Sequence, residues 1–374
     1  MIIKQAWELG LMNLQLPAAC GGAEASYLDG CLIGEELAWG CAAIATTLGA
    51  DQLAAAPVLL GGSEKIKKEY LGMLTEEPRL ASFCLTEPDV GSDVSGMRTI
   101  AVKRGDKYVI TGLKCFITSG GYADWFAVYA KTDKDAGHRG VTAFVVPRDD
   151  TVTVDKHEDK MGLRASNTAT ISFNETEVPL GNLLGVENHG FKLAMMTLDR
   201  TRPGVASMAT GIARAAFEFA TNYSRERVQF GVPIAMHQGI QFMIADMATK
   251  AEASRLLTWH SAVLLDQGLR NTLASSHAKR FAALRHGGVH RRRAGIRRVW
   301  LHEGVPSRKL MRDAKIMQLY EGTSQIQRLV IARETCASAA RPPSAASSAP
   351  SSATAIASSC IMRRQPSHRA APGL

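Results

Sequence analysis

Hydrophobic positions along the chain change period twice. From Met1 to about Leu80 they recur at helical spacing. Residues 30–56 are rich in Ala, Leu and Ile with few breakers, and Ser63 stands as an N-cap before charged and apolar residues at helical intervals up to Leu74. From about Ala81 to Leu184 short β-branched and aromatic runs take over, at residues 108–112, 125–129, 141–147 and 168–173, each bounded by turn residues. From Gly190 helical spacing returns, first over residues 191–199 and then over 204–230, with Pro203 starting the second of these helices. The order predicts an α+β chain of several regions: an N-terminal helical domain (residues 1–80), a central β-barrel-like domain (81–185) and a C-terminal helical bundle (186–335). Beyond Cys336 no hydrophobic period survives, and the Ala-, Ser- and Pro-rich residues 336–374 are expected to form a disordered tail.

Composition narrows the class. A chain of 374 residues, 46% of them hydrophobic, can bury a large core. No apolar run is expected to be long enough to cross a membrane, and the first residues lack the features of a signal peptide. The seven cysteines form no CxxC pair and no zinc spacing, so they read as packed, reduced thiols and no metal site is expected. A soluble intracellular protein follows, in the cytoplasm of a bacterium or the mitochondrial matrix of a eukaryote. The net charge of +9 does not mark a nucleic-acid surface, because residues 285–303 (+5) and 336–374 (+4) account for all of it.

Five runs carry candidate chemistry. In residues 319–328 a single carboxylate, Glu321, stands between Tyr320 and Gly322, and Ser324 with Gln327 reads as a capping box. Glu321 then sits in a turn beside free helix N–H groups, where it can be aimed into a cavity. Residues 83–93 enter a tight loop in which Thr86 and Ser92 offer hydroxyls. In residues 116–121 Phe116 and Thr118 share one strand face, pairing a flat ring with a hydrogen-bonding group. Residues 199–203 cluster Asp199, Arg200 and Arg202 before Pro203. Residues 225–231, followed by His237 and Gln238, place Arg227 near Phe230: an arginine grips pyrophosphate through two donors, and an aromatic ring stacks on a base. Each run alone has an ordinary structural explanation, as a solvated turn, a strand end or a surface cation. No strand–GxGxxG–helix fingerprint appears.

Together the runs closely resemble the acyl-CoA dehydrogenases, over residues 6–282 and 309–333, with a texture nearest the medium-chain type. The resemblance implies that family's helix–sheet–helix fold and FAD as cofactor. It implies that Glu321 removes the proton next to a thioester carbonyl while hydride leaves the β-carbon for the flavin, giving a trans-2-enoyl-CoA in fatty-acid β-oxidation. The flavin would be held by Phe83, Leu85, Thr86, Ser92, Phe116, Thr118, Thr323 and Gln325. Arg227, Phe230 and Gln238 would reach the FAD of a neighbouring subunit in a homotetramer. Ser92, Asp199, Arg202, Tyr320 and Gly322 would contact the acyl-CoA, whose carbonyl the Glu321 N–H helps polarise. Electron-transfer flavoprotein would take the electrons, and neither a membrane nor a nucleic acid is an implied partner. The acyl pocket would run along residues 43–49, where Gly49 replaces a larger polar residue of medium-chain relatives and leaves room for longer chains.

Three departures stand against the resemblance. Family members carry further helix before the stretch matching Trp7 to Gly10, so the first helices here are expected to expose apolar surface. Residues 284–308 do not match. With Arg written as CGN and residues 291–302 read one base later, the codons admit DAVQVFGGYGFM, the family's glycine-rich turn, so a local frameshift entered near Leu284 and corrected near Arg308 is expected. The residues after Thr335 have no counterpart. Two rival functions follow from these departures: an inactive or flavin-poor remnant of the family, or a DNA-binding flavoprotein relative using the arginine-rich stretch.

Overall fold

The computed structural model describes residues 2–285 and 306–339. Most of the segment expected to be frameshifted, and the tail beyond Ala339, lie outside them. A short helix, α1 (Ile2–Glu8), precedes α2 (Tyr27–Gly61). Ser26 starts α2 with a capping box: its hydroxyl accepts from Asp29 N at 3.0 Å, and the Asp29 carboxylate accepts from Ser26 N at 3.1 Å. Cys41 leaves helical geometry (φ −157°, ψ 104°), so α2 is two helices joined at a kink. Ser63 caps the helical residues 64–76, as expected, by accepting from Ile66 N. On the first helices Ile2, Leu9, Leu32 and Trp39 are exposed.

Helix α2 is the partner of α3 (Gly190–Glu226). Ala38, Ala42, Ala43 and Ala45 of α2 pack on Val205, Ala206, Met208, Ala209 and Ile212 of α3. Small side chains bring the axes close, and a Cβ on Gly211 would lie 2.2 Å from Glu35 O. This corrects the expectation that no stretch has membrane-spanning length. The most apolar part of α2 has the length and a mean hydropathy of 1.4, but 61% of it is buried inside the protein, as a core helix requires. Helices α4 (Gln238–Asp266), α5 (Thr272–Arg285) and α6 (Pro306–Ala314) complete the helical layer, and α7 (Ser324–Ala339) follows the turn at Glu321. Ala332 closes the first compact unit, and the described residues of the second, 333–339, are helical.

The expected break at Pro203 is absent: residues 190–226 form one helix. Proline cannot donate to the carbonyl four residues earlier, which normally breaks a helix. Here that carbonyl, Asp199 O, accepts instead from Asn271 Nδ2 at 2.9 Å. A distant side chain replaces the missing donor, a compensation that the local sequence does not announce.

Between the helical stretches lie β1 (Ala81–Cys84), β2 (Ile100–Arg104), β3 (Lys107–Thr118), β4 (Trp125–Lys131), β5 (Val141–Pro147), β6 (Val152–His157), β7 (Thr168–Pro179) and β8 (Leu183–Leu184). They pair in the order β6-β7-β3-β2-β4-β5-β8, with β1 parallel to β4. The sheet curls: Phe126 of β4 meets Phe173 of β7 edge to face at 5.9 Å although two strands separate them in the sheet. Strands β4 and β5 are buried on both faces, which is why they read as unbroken apolar runs. Phe126, Val128 and Phe144 fill the core inside the curl, while Trp125, Tyr129 and Val145 face a second core shared with α2 and Leu193 of α3.

The Asn271 contact is directly testable. Asn271→Leu leaves the partly buried Asp199 O without its donor and should lower unfolding stability by about 1–3 kcal/mol. A urea melt matching wild type would show that the contact does not support α3.

Candidate active site

The loop after β1 is held by a buried ion pair. Lys114 of β3, fully buried, donates to Glu87 Oε1 at 2.8 Å and to Leu85 O at 3.2 Å. Glu87 also accepts from Arg98 N at 2.6 Å and Thr99 N at 3.1 Å. Burial by itself would raise the Glu87 carboxyl, but the Lys114 charge and these hydrogen bonds outweigh it and hold the group below its ordinary range. Burial likewise pulls Lys114 down, against the attraction of Glu87. Backbone bonds Glu87 N→Val90 O and Val90 N→Glu87 O close the turn, and Cys115 N donates to Thr86 O at 3.0 Å. Thr86 and Ser92 are thereby fixed on one wall of a cavity.

A bulge in β3 borders the same cavity. Its pairing with β7 slips between Lys114 and Ile117, and Phe116 takes the left-handed conformation at φ 58°. Cys115 and Ile117 point into the core, whereas Phe116 is 64% exposed with its ring on the cavity. Thr118 lies beside it on the same wall. Ser119 is also left-handed, at φ 60°, where the strand ends.

The third wall is the turn before α7. Glu321 (φ 50°) and Gly322 (φ 86°) are consecutive left-handed residues. The cap is not the expected one. Thr323, not Ser324, is the N-cap, its Oγ1 accepting from Ile326 N at 3.2 Å. Ser324 is buried instead, and the fully buried Gln327 reaches back to Glu321 O (3.2 Å) and Gly322 O (3.1 Å). Left-handed backbone at residues 321–322 moves the helix start one residue earlier than the sequence pattern suggested. Gly322 O also accepts from Lys279 Nζ of α5 at 2.6 Å. Glu321 Oε2 accepts from Thr201 Oγ1 of α3 at 2.8 Å. Burial raises the Glu321 carboxyl above its ordinary value, opposed by Thr201, Lys279 and Arg202.

The walls border three chambers that share lining residues. A front chamber of about 220 Å³ is lined by Phe83, Leu85, Thr86, Ser92, Phe116, Thr118, Arg202, Tyr320, Glu321 and Gly322. A side chamber of about 410 Å³ shares Thr46, Phe116, Thr118 and Tyr320 with it and adds Lys160, Met161, Ser166, Arg312 and Lys315. A rear chamber of about 100 Å³ shares Gly49, Met208 and Glu321 with the front one and extends past Ala45, Cys31 and Gln52 to Leu14.

Ten of the expected site residues therefore meet in one cavity, and six do not line it. Asp199 accepts from Arg202 Nη1 and, at 2.6 Å, from Thr272 Oγ1, so it holds the arginine rather than facing the chamber. Thr323 is spent as a cap, and Gln325 is exposed. Arg227, Phe230 and Gln238 are exposed on and beside the hairpin of β9 (Val228–Gln229) and β10 (Val232–Pro233), with Phe230 94% exposed. Thr201, Thr46, Lys279 and the cations of the side chamber escaped the sequence analysis. Thr201 and Thr46 stood inside quoted runs without a role of their own. Lys279 lies on a face of α5 made of Ser275, Ser276, Ala278 and Ala282, all buried, and a lysine among them was the available signal.

A flat ring system fits this cavity. The exposed face of Phe116 and the hydroxyls of Thr118, Thr86 and Ser92 offer a flavin a stacking surface and polar contacts, and Phe116 and Thr118 border both large chambers.

Comparison with known proteins agrees along the chain. Family models described as the N-terminal, middle and C-terminal domains of acyl-CoA dehydrogenase match residues 1–77, 82–176 and 188–335. A Caenorhabditis briggsae protein named "Probable medium-chain specific acyl-CoA dehydrogenase 2, mitochondrial" is 45% identical over 89% of this chain and 82% of its own length. Among solved structures, butyryl-CoA dehydrogenase from Megasphaera elsdenii superposes with a TM-score of 0.87 at 40% identity, covering 90% of this chain and 89% of that one. A chain from a structure presented as the electron transferring flavoprotein of Acidaminococcus fermentans also gives 0.87, at 41% identity and 89% coverage of both chains.

The ion pair under the loop supplies the test here. Lys114→Met strands a buried carboxylate and should cost about 3–5 kcal/mol of stability, with weakened flavin retention. Adding Glu87→Gln should recover part of the loss. A single variant as stable as wild type would remove the pair from the account of the loop.

Proposed function

The chain belongs to the acyl-CoA dehydrogenase family, an FAD-dependent group of oxidoreductases, and from this membership we propose that Glu321 is the base of its reaction. The carboxylate takes the proton α to the thioester carbonyl as hydride leaves the β-carbon, and the new C–C double bond gives a trans-2-enoyl-CoA. FAD supplies the hydride acceptor. Phe83, Leu85, Thr86, Ser92, Phe116 and Thr118 would hold it, and Arg202, Tyr320 and Gly322 would border the acyl thioester. The observation that carries the reading is the position of Glu321. It borders both the front and the rear chamber and shares the front one with Phe116 and Thr118. Among the described residues the Glu321 N–H has no hydrogen-bond acceptor, which leaves it able to polarise a thioester carbonyl.

Partner and assembly belong to the same proposal. The likeness to the Acidaminococcus fermentans chain supports electron-transfer flavoprotein as the acceptor. The exposed positions of Arg227, Phe230 and Gln238 support a role toward the cofactor of a second copy, in a homotetramer. A β-oxidation role in the cytoplasm of a bacterium or in a mitochondrial matrix fits the mitochondrial relative.

The acyl chain is proposed to pass Gly49 into the rear chamber. A Cβ built on Gly49 meets no atom within 4 Å, so the absent side chain leaves open space between the chambers. Longer chains should then be accepted.

Glu321→Gln should reduce dehydrogenation by about 10²–10⁴-fold while leaving the visible flavin band in place. The base works only when ionised and burial raises its pKa, so wild-type kcat/KM should fall on acidification at a higher pH than an ordinary glutamate would give. Retained turnover in the glutamine variant would overturn the assignment. Across acyl-CoA lengths, kcat/KM should peak above four carbons, and Gly49→Gln should move the optimum to shorter chains. A wild-type optimum at butyryl-CoA would exclude the rear chamber as acyl space.

A further inference from the structure

Lys279 is a fully buried lysine in the middle of α5, on a stretch of the helix where Ser275, Ser276, Ala278 and Ala282 are buried as well. Burying an ammonium is costly unless the site uses its charge or its donors. Its Nζ donates to Gly322 O at 2.6 Å, the carbonyl directly after Glu321. That carbonyl sits in a pair of left-handed residues, and such backbone persists in a non-glycine residue only where its surroundings over-determine it. Gln327 approaches the same carbonyls from α7, so the turn is gripped from two helices.

Among the described residues the charges facing Glu321 are few. From α3 come Thr201, a neutral donor, and Arg202, whose charge is shared with Asp199. Tyr320 stands beside Glu321 in the turn, and from α5 comes Lys279. The carboxylate whose field Lys279 feels is that of Glu321.

We propose that Lys279 is a positioning residue for Glu321: its ammonium fixes the 321–322 turn through the Gly322 carbonyl and supplies the buried positive charge that keeps the neighbouring carboxylate ionised. The inference rests on Glu321 being the base. Burial pulls Lys279 down to about 8, against the pull of Glu321, so it remains charged throughout the acid range in which a carboxyl group titrates. Its effect on Glu321 therefore has one sign: removing the positive charge leaves burial less opposed and makes the carboxylate easier to protonate.

Lys279→Gln separates the two roles, because an amide can still donate to Gly322 O but carries no charge. Purified, flavin-loaded wild type and variants would be titrated by infrared difference spectroscopy, with the Glu321 carboxyl band identified by its loss in Glu321→Gln. In Lys279→Gln the band should titrate at higher pH than in wild type. The acid limb of kcat/KM should move the same way, with activity about tenfold lower at neutral pH and recovering as pH rises. Lys279→Arg, which retains the charge, should keep the wild-type limb. A Lys279→Gln protein with wild-type carboxyl titration and wild-type acid limb would overturn the proposal. If wild type forms no enoyl-CoA at all, the assignment of Glu321 as base fails, while the infrared titration still decides whether Lys279 and Glu321 are coupled.

Discussion

A carboxylate facing an apolar cavity has to be kept ionised without being neutralised by direct contact, and the helical half of this protein is arranged around that constraint. Thr201 donates to Glu321 from α3, Arg202 adds charge from the same helix, and Lys279 adds it from α5. The spacing of those cations is set by a strut between the two helices. Asn271 and Thr272, at the start of α5, hold Asp199 through its carbonyl and its carboxylate, and Asp199 holds Arg202. The same Asn271 bond lets α3 continue through Pro203. One junction thus keeps α3 unbroken and orients one of the charges that tune Glu321.

The β-domain meets the cavity with a different device. Its contribution is shape, produced by backbone conformations that side-chain-bearing residues seldom adopt: Phe116, Ser119 and, lining the side chamber, Leu163 are left-handed, as is Glu321 in the turn before α7. Each costs on the order of 1–3 kcal/mol. The surroundings that hold them are identifiable. Lys114 and Glu87 brace the strand and loop beside the Phe116 bulge, and Leu163 N donates to Asp313 of α6 at 2.7 Å. Phe116, Leu163 and Glu321 carry this strain on the cavity walls themselves, whereas other left-handed residues, Asn13 and Glu175 among them, lie away from the cavity.

Much of this was legible because each motif carries its own local cause. A Pro/Gly loop with hydroxyls, an aromatic and a threonine two apart on a strand, and a glutamate before a helix start are patterns of adjacent residues, and the structure brings all three to one cavity. What escaped depends on partners distant in sequence. Nothing near Pro203 reveals that Asn271 will complete its helix, and nothing near Lys279 reveals that it will end against Gly322. The cap at Thr323 was missed by one residue because the left-handed Glu321–Gly322 pair moves the helix start, and that backbone state has no signature beyond a single glycine. Arg227, Phe230 and Gln238 fit their motif, yet their environment within one chain is solvent, so the chain alone gives them no contact to interpret.

The depth of the cavity has the same origin as the core. Helices α2 and α3 approach closely because small residues line their seam, and at Gly211 there is no room even for a Cβ. Fourteen residues along α2 from Glu35, the same preference for small residues leaves Gly49 with open space around it. Two glycines on one helix pair thus act in opposite ways: one permits contact and the other leaves a gap. A side chain at Gly211 would push the helices apart, whereas one at Gly49 would enter space shared by the front and rear chambers. The volume available behind Glu321 is therefore adjustable at a single core position without disturbing the packing that holds the two helices together, and variation in cavity depth does not require a new loop or a change of fold.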